Sequence, residues 1–223
     1  MTLWSHSSPA QSPAVLSEPV VYVVDDDASM RQALDSLLRS IGLQVRTFDS
    51  AADFLAQAQR EVPGCLVLDV RLRGESGLTF QEQMEKNGLR IPVVFMTGHG
   101  DIAMSVKAMK AGAVDFLAKP FRDQDMLDAV ASALARDRAR LADEHTGAVL
   151  RRAYETLTAR EREVLGYVIA GLMNKQIAGQ LKLSEVTVKV HRGQVMRKLG
   201  ARSVADLVRI AEALGIEPVQ RGP

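Results

Sequence analysis

Residues 65–70 read Cys-Leu-Val-Leu-Asp-Val, a run in which Asp69 is the one polar residue. Short apolar runs of this kind predict strands that are buried on both faces. Similar runs occur at residues 20–24 (VVYVV) and 91–97 (IPVVFMT), separated by stretches with helical periodicity. Strands that alternate with helices indicate a parallel sheet covered by helices on both sides. The sequence around Asp69 therefore predicts a doubly wound α/β domain.

The alternation extends in both directions from this strand. After residues 20–24, one helical face carries the apolar residues Met30, Leu34, Leu37, Leu38 and Ile41. Further strands and helices are predicted at residues 44–48, 51–58, 80–86, 103–111 and 114–118, and from Asp123 onward. We therefore expect a doubly wound, flavodoxin-like α/β domain, with a five-stranded parallel sheet, over residues 20–135.

The pattern changes at Leu157, beyond which only helical periodicity remains. Turn signals lie at Gly171, Ser184, Gly200 and Gly215. They predict an all-α, four-helix domain over residues 157–216. Within it, a helix at 174–181, a turn at 182–184 and a helix from about Glu185 have the lengths of a helix-turn-helix.

The remaining segments flank or join these two domains. Residues 1–19 are rich in Ser, Pro and Ala and predict a disordered tail, and residues 217–223 predict a second tail. Residues 136–156 predict a linker that is helical at its start. We expect no contact with a membrane, because a membrane-spanning helix needs about 20 apolar residues and no run approaches that length.

Charge and cysteine content limit the function further. Up to Arg140 the chain has 15 Lys plus Arg and 18 Asp plus Glu, a net charge of −3; beyond it the counts are 13 and 9, a net charge of +4. An acidic module joined to a basic one suits a regulatory domain attached to a nucleic-acid binder. A single cysteine, Cys65, excludes an internal disulfide and suits a reducing, cytoplasmic location.

Polar residues follow the predicted strands where the carboxyl ends of parallel strands meet at one edge. They are Asp25, Asp26, Asp27, Asp69, Thr97 and Lys119. Ligands of open α/β sheets bind at this edge. Each residue alone has an ordinary explanation as a helix cap, a turn residue or a surface charge. Their joint placement favours a functional site.

Clustered carboxylates repel one another, and a hard divalent cation such as Mg²⁺ usually compensates them. With the charge neutralised, one carboxylate can attack a phosphoryl group while a lysine and a hydroxyl stabilise its oxygens. Asp69 is the best nucleophile in this arrangement. The residues therefore predict a Mg²⁺-dependent phosphoryl-accepting site.

Residues 20 to about 135 resemble the receiver domain of two-component response regulators through the motifs VVDDD, LDVRLRGESG, FMTGHG and VDFLAKPF. The resemblance implies that Asp69 is the phospho-acceptor and that Lys119 binds a phosphoryl oxygen. It assigns Mg²⁺ to Asp69, Asp26 and the backbone carbonyl of Arg71, with Asp25 behind them and Asp27 as a helix cap. It makes Thr97 and Phe116 a switch pair, implies a cis peptide bond before Pro120, and marks Arg73 as a departure from relatives with proline there.

In the second domain, Val188, Val195 and Leu199 recur at helical spacing and predict the buried stripe of the second helix of the helix-turn-helix. The opposite face predicts DNA contacts in a major groove, with Lys189 as the leading base contact: Val186, Lys189, Val190, Gly193, Gln194 and Arg197. Contacts with phosphates are expected from Thr187, Lys175, Arg192 and Lys198. Gly193, unfavourable inside a helix, indicates either close approach to DNA or tight helix packing.

Residues 157–208 resemble the LuxR-type helix-turn-helix over nearly the whole second domain. Together with the receiver, this is similar to the FixJ/NarL family of response regulators, and the runs VYVVDDD, TGHGD and TVKVHRGQVMRKL are typical of its FixJ-like branch. The resemblance implies a sensor histidine kinase and double-stranded DNA as partners, a homodimer on phosphorylation, and possible contact with RNA polymerase. It implies no enzymatic activity beyond phosphorylation and dephosphorylation of the receiver itself.

Other functions remain open at this point. A regulator with a receiver fold that works without phosphorylation is the first alternative. A Mg²⁺-dependent phosphatase of the haloacid-dehalogenase type is the second, since Asp25, Asp27 and Ser29 loosely match its opening motif. It leaves Asp69 and the helix-turn-helix without a role. A LuxR protein that senses a small molecule is the third, and the chain has no suitable ligand domain.

Overall fold

The computed structural model describes residues 18–58, 62–72, 76–98 and 102–219, without the side chains of residues 102 and 103. The predicted tails lie outside the described residues apart from Glu18, Pro19 and residues 217–219, and Arg73 also lies outside them. The chain divides into two compact units between Leu141 and Ala142. The domain limits expected from the sequence stay predictions.

The first unit is built on a five-stranded sheet in the order β2-β1-β3-β4-β5, with every neighbouring pair parallel. Its strands are β1 (Val20–Val24), β2 (Gln44–Phe48), β3 (Gly64–Asp69), β4 (Val93–Thr97) and β5 (Asp115–Ala118). Its helices are α1 (Ala28–Ser40), α2 (Ala51–Gln57), α3 (Gly77–Lys86), α4 (Ile102–Lys110) and the first part of α5 (Asp123–Glu155). The predicted doubly wound α/β fold is confirmed.

Side chains that alternate along the strands pack into two cores, one on each side of the sheet. On one side Tyr22 packs with Phe54 of α2, and their rings meet edge to face with centroids 5.3 Å apart. Phe80 of α3 belongs to the same cluster. On the other side Val23 lies with Leu38 of α1 and Met126 of α5. Burial on both faces explains why the strands read as continuous apolar runs.

One residue of the predicted apolar helix face is placed differently. Ile41 does not lie on the buried face of α1, since the helix ends at Ser40 and Ile41 is 53% exposed. The physical reason is the turn that follows, in which Gly42 adopts a left-handed conformation (φ 82°) and directs the chain back toward β2.

Helix α5 is continuous over its 33 residues, so the structure is helical through nearly all of the predicted linker. The first turn of this segment packs against the sheet. Asp137 is fully buried and accepts hydrogen bonds from the backbone N–H of Gly64 at 2.8 Å and from Nε of Arg140 at 2.9 Å. A buried carboxylate needs such partners, so α5 is attached to the start of β3.

The second unit contains the end of α5 together with α6 (Ala159–Ile169), α7 (Asn174–Leu181), α8 (Glu185–Lys198) and α9 (Val204–Ala213). The predicted stripe Val188, Val195 and Leu199 is buried in its core, as expected. Thr158 and Glu161 form a capping box at the start of α6. In the part of the chain that the structure describes, every helix is too short or too polar to cross a membrane.

Candidate functional sites

The carboxyl edge of the first sheet brings together the polar residues predicted there. Lys119, directly after β5, places its Nζ 2.8 Å from Oδ2 of Asp25 and 2.5 Å from Oδ2 of Asp69. Asp25 follows β1 and Asp69 ends β3, which pair with each other in the sheet. Thr97 ends β4, next to β3, and is buried. The expected convergence of these side chains is thus present.

Backbone groups fix the second oxygen of each carboxylate. The N–H of Arg71 donates to Oδ1 of Asp69 at 2.8 Å, and the N–H of Asp27 donates to Oδ1 of Asp25 at 2.8 Å. Asp27 itself caps α1 by accepting from the N–H of Ser29 at 2.8 Å, as predicted. Each of the two carboxylates is therefore oriented by one backbone N–H group and by the ammonium of Lys119, which they share.

Burial and the single ammonium of Lys119 together determine the pKa values of the ionisable groups at this edge. Burial raises the pKa of Asp25, which is 1% exposed, and the hydrogen bond from Lys119 only partly opposes this rise. Burial lowers the pKa of Lys119, but hydrogen bonds to Asp25 and Asp69 more than offset it, so the pKa lies above its ordinary value. One ammonium thus faces two carboxylates, which leaves a net negative charge for a cation to neutralise.

The oxygen donors at this edge fit Mg²⁺ in kind. Within the described residues, no three His, Cys, Asp or Glu side chains are gathered closely enough to hold a metal ion. Mg²⁺ usually takes one or two carboxylates and keeps several waters, so it does not require a third carboxylate. The carboxylates of Asp25 and Asp69, the half-buried Asp26 and the carbonyl of the adjacent Arg71 supply donors of this type.

The two residues of the predicted switch lie on neighbouring strands. Thr97 is 1% exposed and pairs with Ala118 in the β4–β5 ladder, whereas Phe116 is half-buried, with its ring centroid 6.4 Å from that of Phe95. The Lys119–Pro120 peptide bond is cis, as expected. The coupled movement of Thr97 and Phe116 stays a prediction.

Two residues near the site were missed in the sequence. Arg31 of α1 donates from Nη1 to the carbonyl of Asp25 at 2.6 Å. Gly77 begins α3, and a Cβ there would lie 2.6 Å from the carbonyl oxygen of Asp69 and 3.2 Å from the Phe95 ring. The last glycine of the motif GESG could have drawn attention to Gly77. The close contact that this glycine allows depends on the packing of α3 against β3, which the sequence does not give.

In the second unit, one face of α8 is exposed as predicted. The apolar side chains of Val186 and Val190 are 73% and 56% exposed, and Lys189 and Arg197 are also exposed, while Gln194 is half-buried. Large exposed apolar side chains on a charged helix indicate a binding surface.

Gly193 lies on this exposed face, and a Cβ built there would meet no atom within 4 Å. Of the two explanations for this glycine, tight packing against another helix of the unit is therefore excluded.

The residues predicted to contact phosphates differ in their surroundings. Thr187 donates its N–H to the N-cap Ser184, and Lys175 is exposed. Arg192 donates to Oδ1 of Asn174 at 3.0 Å, which joins α8 to α7. Lys198 is instead used inside the unit, as described next.

Lys198 donates from Nζ to Oε2 of the buried Glu161 at 2.6 Å and to the carbonyl of Thr156 at 3.0 Å. The hydrogen bond from Lys198 lowers the pKa of Glu161, and the N–H of Thr158 contributes. The ammonium of Lys198 therefore stabilises the packing of α8 against α6.

Comparisons with known proteins agree with this architecture. Residues 21–131 match the family of response regulator receiver domains, and residues 155–211 match the luxR family of bacterial regulatory proteins. A receiver joined to a LuxR-type DNA-binding domain defines the class of response regulators that control transcription.

Relatives extend this likeness over both units. Nodulation protein W of Bradyrhizobium diazoefficiens is 54% identical over 90% of this chain and 88% of its own length. A solved structure of the response regulator StyR is 51% identical, with a TM-score of 0.80 over 88% of this chain and 99% of that one. Full-length FixJ from B. japonicum is 40% identical, with a TM-score of 0.53 over 88% and 97%. The chain belongs to the FixJ/NarL family of response regulators, with FixJ-like relatives.

Proposed function

We propose that a sensor histidine kinase phosphorylates Asp69 and that this modification controls DNA binding by α8. The observation that carries the proposal is the position of Lys119, whose ammonium lies between the buried carboxylates of Asp25 and Asp69. A cation held at the carboxylate that is to be modified is placed to bind the phosphoryl group once it arrives.

The transfer is an in-line displacement at phosphorus. An oxygen of Asp69 attacks the phosphorus of a phosphohistidine, the P–N bond breaks, and the imidazole leaves with the electron pair of that bond. The N–H of Arg71 holds Oδ1 of Asp69 in place, and Lys119 moves from Oδ2 to a phosphoryl oxygen. Asp26, Asp69 and the carbonyl of Arg71 would hold Mg²⁺, with Asp25 next to these ligands, and the bound cation would neutralise charge at this edge. Attack by water on the acyl phosphate restores Asp69, so the receiver catalyses only its own phosphorylation and dephosphorylation.

The switch is proposed to use residues next to the modified carboxylate. The hydroxyl of Thr97 turns toward the phosphoryl group, and the ring of Phe116 moves inward behind it. The half-buried position of Phe116 on β5, next to β4, supports this pairing. The resulting shift in the population of receiver conformations favours a homodimer.

DNA recognition is assigned to α8. Lys189, Val190, Gly193, Gln194 and Arg197 contact base edges, since they share the face away from the buried stripe. Thr187, Lys175 and Arg192 contact phosphates. Lys198 is left out, because its ammonium is bound to Glu161. A dimer then binds paired half-sites. We assign the protein to the cytoplasm, together with its DNA, and RNA polymerase is a further candidate partner there.

The test is intact mass after incubation with acetyl phosphate and Mg²⁺. We expect one Mg²⁺-dependent phosphoryl adduct per chain, together with dimerisation and tighter DNA binding, and no adduct in Asp69→Asn. Asp49→Asn is the matched control, since Asp49 follows β2 at the same edge but is exposed.

Three results contradict the proposal. An adduct in Asp69→Asn, or DNA binding that Asp69→Asn leaves unchanged, indicates a regulator that works without phosphorylation of this residue. Steady turnover of small phosphate esters indicates a phosphatase.

A further inference from the structure

A cavity lies at the amino-terminal edge of the receiver sheet, opposite the phosphorylation site. It has a volume of about 670 Å³ and lies between the end of α3, the start of β4, the turn after α4 and the part of α5 that belongs to the first unit. This volume is within the range of small-molecule sites, about 300–1,000 Å³. Thr97 and Asp69 lie at the other ends of β4 and β3, so the cavity is separate from the site of phosphorylation.

The charge around the cavity is positive. Three arginines line it, Arg90, Arg136 and Arg140, against one carboxylate, Glu85. Arg140 forms an ion pair with the buried Asp137 at 2.9 Å. Arg90 and Arg136 have no ion-pair partner in the part of the chain that the structure describes. Guanidinium groups bind carboxylates with paired, charge-assisted hydrogen bonds, so the free guanidinium groups favour an anionic ligand.

A second, independent feature is the side chain of Gln81. It lines the cavity, is 4% exposed, and donates from Nε2 to the carbonyl of Ala111 at 2.9 Å. Its Oε1 is buried and has no hydrogen-bond partner among the described residues. A buried acceptor without a donor is unfavourable and unusual in folded proteins. Because Gln81 lines the cavity, a rotation of its side chain would open Oε1 to a hydroxyl or N–H group there.

The rest of the lining is apolar. Met84, Leu89 and Ile91 lie on the wall between these polar groups. Ligand sites commonly combine an apolar wall with a few polar groups that fix the orientation of the ligand.

We propose that this cavity binds a small organic acid with an apolar body, a carboxylate and a hydroxyl group. The carboxylate binds Arg136 and Arg90, the apolar body packs on Met84, Leu89 and Ile91, and the hydroxyl donates to Oε1 of Gln81. The site is independent of phosphoryl transfer, since it lies at the opposite edge of the sheet.

The test is a titration of the ¹⁵N-labelled full-length chain with 4-hydroxybenzoate, followed by NMR. We expect saturable shifts of the Gln81 side-chain amide and of residues around the cavity, with a Kd of about 1 mM, a usual affinity for a ligand of about ten non-hydrogen atoms. Benzoate lacks the hydroxyl and should bind about 5-fold more weakly. The uncharged 4-hydroxybenzyl alcohol should bind at least about 10-fold more weakly.

Variants separate this site from a general charge effect. Arg136→Gln should weaken binding of 4-hydroxybenzoate about 10-fold. Arg138→Gln removes the same charge from an exposed position on α5 that does not line the cavity, and should leave binding unchanged. Asp69→Asn should also leave it unchanged, which distinguishes failure here from failure of the proposed phosphorylation.

The proposal is overturned if 4-hydroxybenzoate produces no saturable shift around the cavity, or if the two arginine variants weaken binding equally. Equal affinity for benzoate and 4-hydroxybenzoate overturns the assigned hydrogen bond, and water then satisfies Gln81.

Discussion

Among the single side chains, two lysines hold buried carboxylates in opposite ways. Lys119 divides its ammonium between Asp25 and Asp69. Burial raises the pKa of Asp25, and the hydrogen bond from Lys119 only partly opposes this rise. Lys198 serves one carboxylate, Glu161, which also accepts from the N–H of Thr158 at 2.8 Å, and the pKa of Glu161 is lowered. Two carboxylates therefore share one ammonium in the receiver, whereas Glu161 in the second unit has the ammonium of Lys198 to itself and serves packing.

Replacing Glu161 by Gln should destabilise the second unit by about 1–3 kcal/mol at neutral pH, because Lys198 loses a charged acceptor. The pKa of folded Glu161 lies below its usual 4.5. Its stabilisation is therefore present above about pH 4.5 and is lost as the pH falls through the folded pKa. Hydrogen exchange of peptides from residues 157–213 of the full chain measures this difference as a function of pH.

Glu163→Gln is the control for this prediction. Glu163 pairs with Arg160 at the surface, where ion pairs contribute about 0–1 kcal/mol. Equal effects of the two substitutions, or an effect of Glu161→Gln that persists at the lowest pH, would contradict the structural role of the Lys198 pair.

Among the elements, α3 begins in close contact with the strand that carries Asp69. Replacing Gly77 by Ala places a Cβ 2.6 Å from the Asp69 carbonyl oxygen, so α3 or the end of β3 has to shift. We expect a loss of about 1–3 kcal/mol in the free energy of unfolding of the first unit. Thermal or denaturant unfolding of the full chain measures it.

The control is Gly98→Ala, since a Cβ at Gly98 meets no atom of the described residues within 4 Å. It should leave the unfolding free energy nearly unchanged. A Gly77→Ala variant as stable as the parent chain would show that α3 does not pack against Asp69 in this way.

The recognition helix α8 offers a comparison of stability with function. Gly193→Ala should stabilise α8 by about 0.5–1 kcal/mol, because alanine is the better helix former and the added Cβ meets open space. We nevertheless expect weaker DNA binding, since the glycine then no longer permits close approach to the groove. Thermal unfolding and a DNA titration on the same protein separate the two effects.

Gly179→Ala on α7 is the matched control, because its added Cβ also meets no atom within 4 Å. It should stabilise the unit similarly and leave DNA affinity unchanged. If Gly193→Ala binds DNA as well as the parent chain, Gly193 does not lie against DNA.

For the molecule as a whole, the positive charge beyond Arg140 should govern how DNA affinity depends on salt. Lys175 is exposed on α7 and is assigned to a phosphate. Lys175→Ala should weaken binding of all sequences uniformly and reduce the slope of log K against log salt by about 1 per protomer.

Lys189→Ala should instead cost about 1–3 kcal/mol at the preferred site and relax its specificity. Titrations of specific and unrelated DNA at several salt concentrations measure both effects, and identical behaviour of the two variants contradicts the assignment of base and phosphate contacts.

Patterns within short stretches of sequence were enough to predict most of the architecture. Buried strands read as apolar runs, and the apolar residues on one face of a helix recur about every 3.6 residues. Caps such as Thr158 and Asp27 mark where helices begin. The helix-turn-helix and the polar edge of the sheet followed from the same information, because the order of parallel strands places their ends together. These features depend on neighbours in the chain, and the structure confirmed them.

Contacts between distant residues required the folded structure. Lys119 meets Asp25 and Asp69 across 94 and 50 residues, Asp137 meets Gly64 across 73, and Lys198 meets Glu161 across 37. No periodicity encodes such pairs, since each depends on how helices pack on the sheet or on one another. Among the described residues, packing also left open space next to Gly193 and left Oε1 of Gln81 without a hydrogen-bond partner. Local patterns therefore identified the elements and the candidate residues, and tertiary packing determined which of those residues interact.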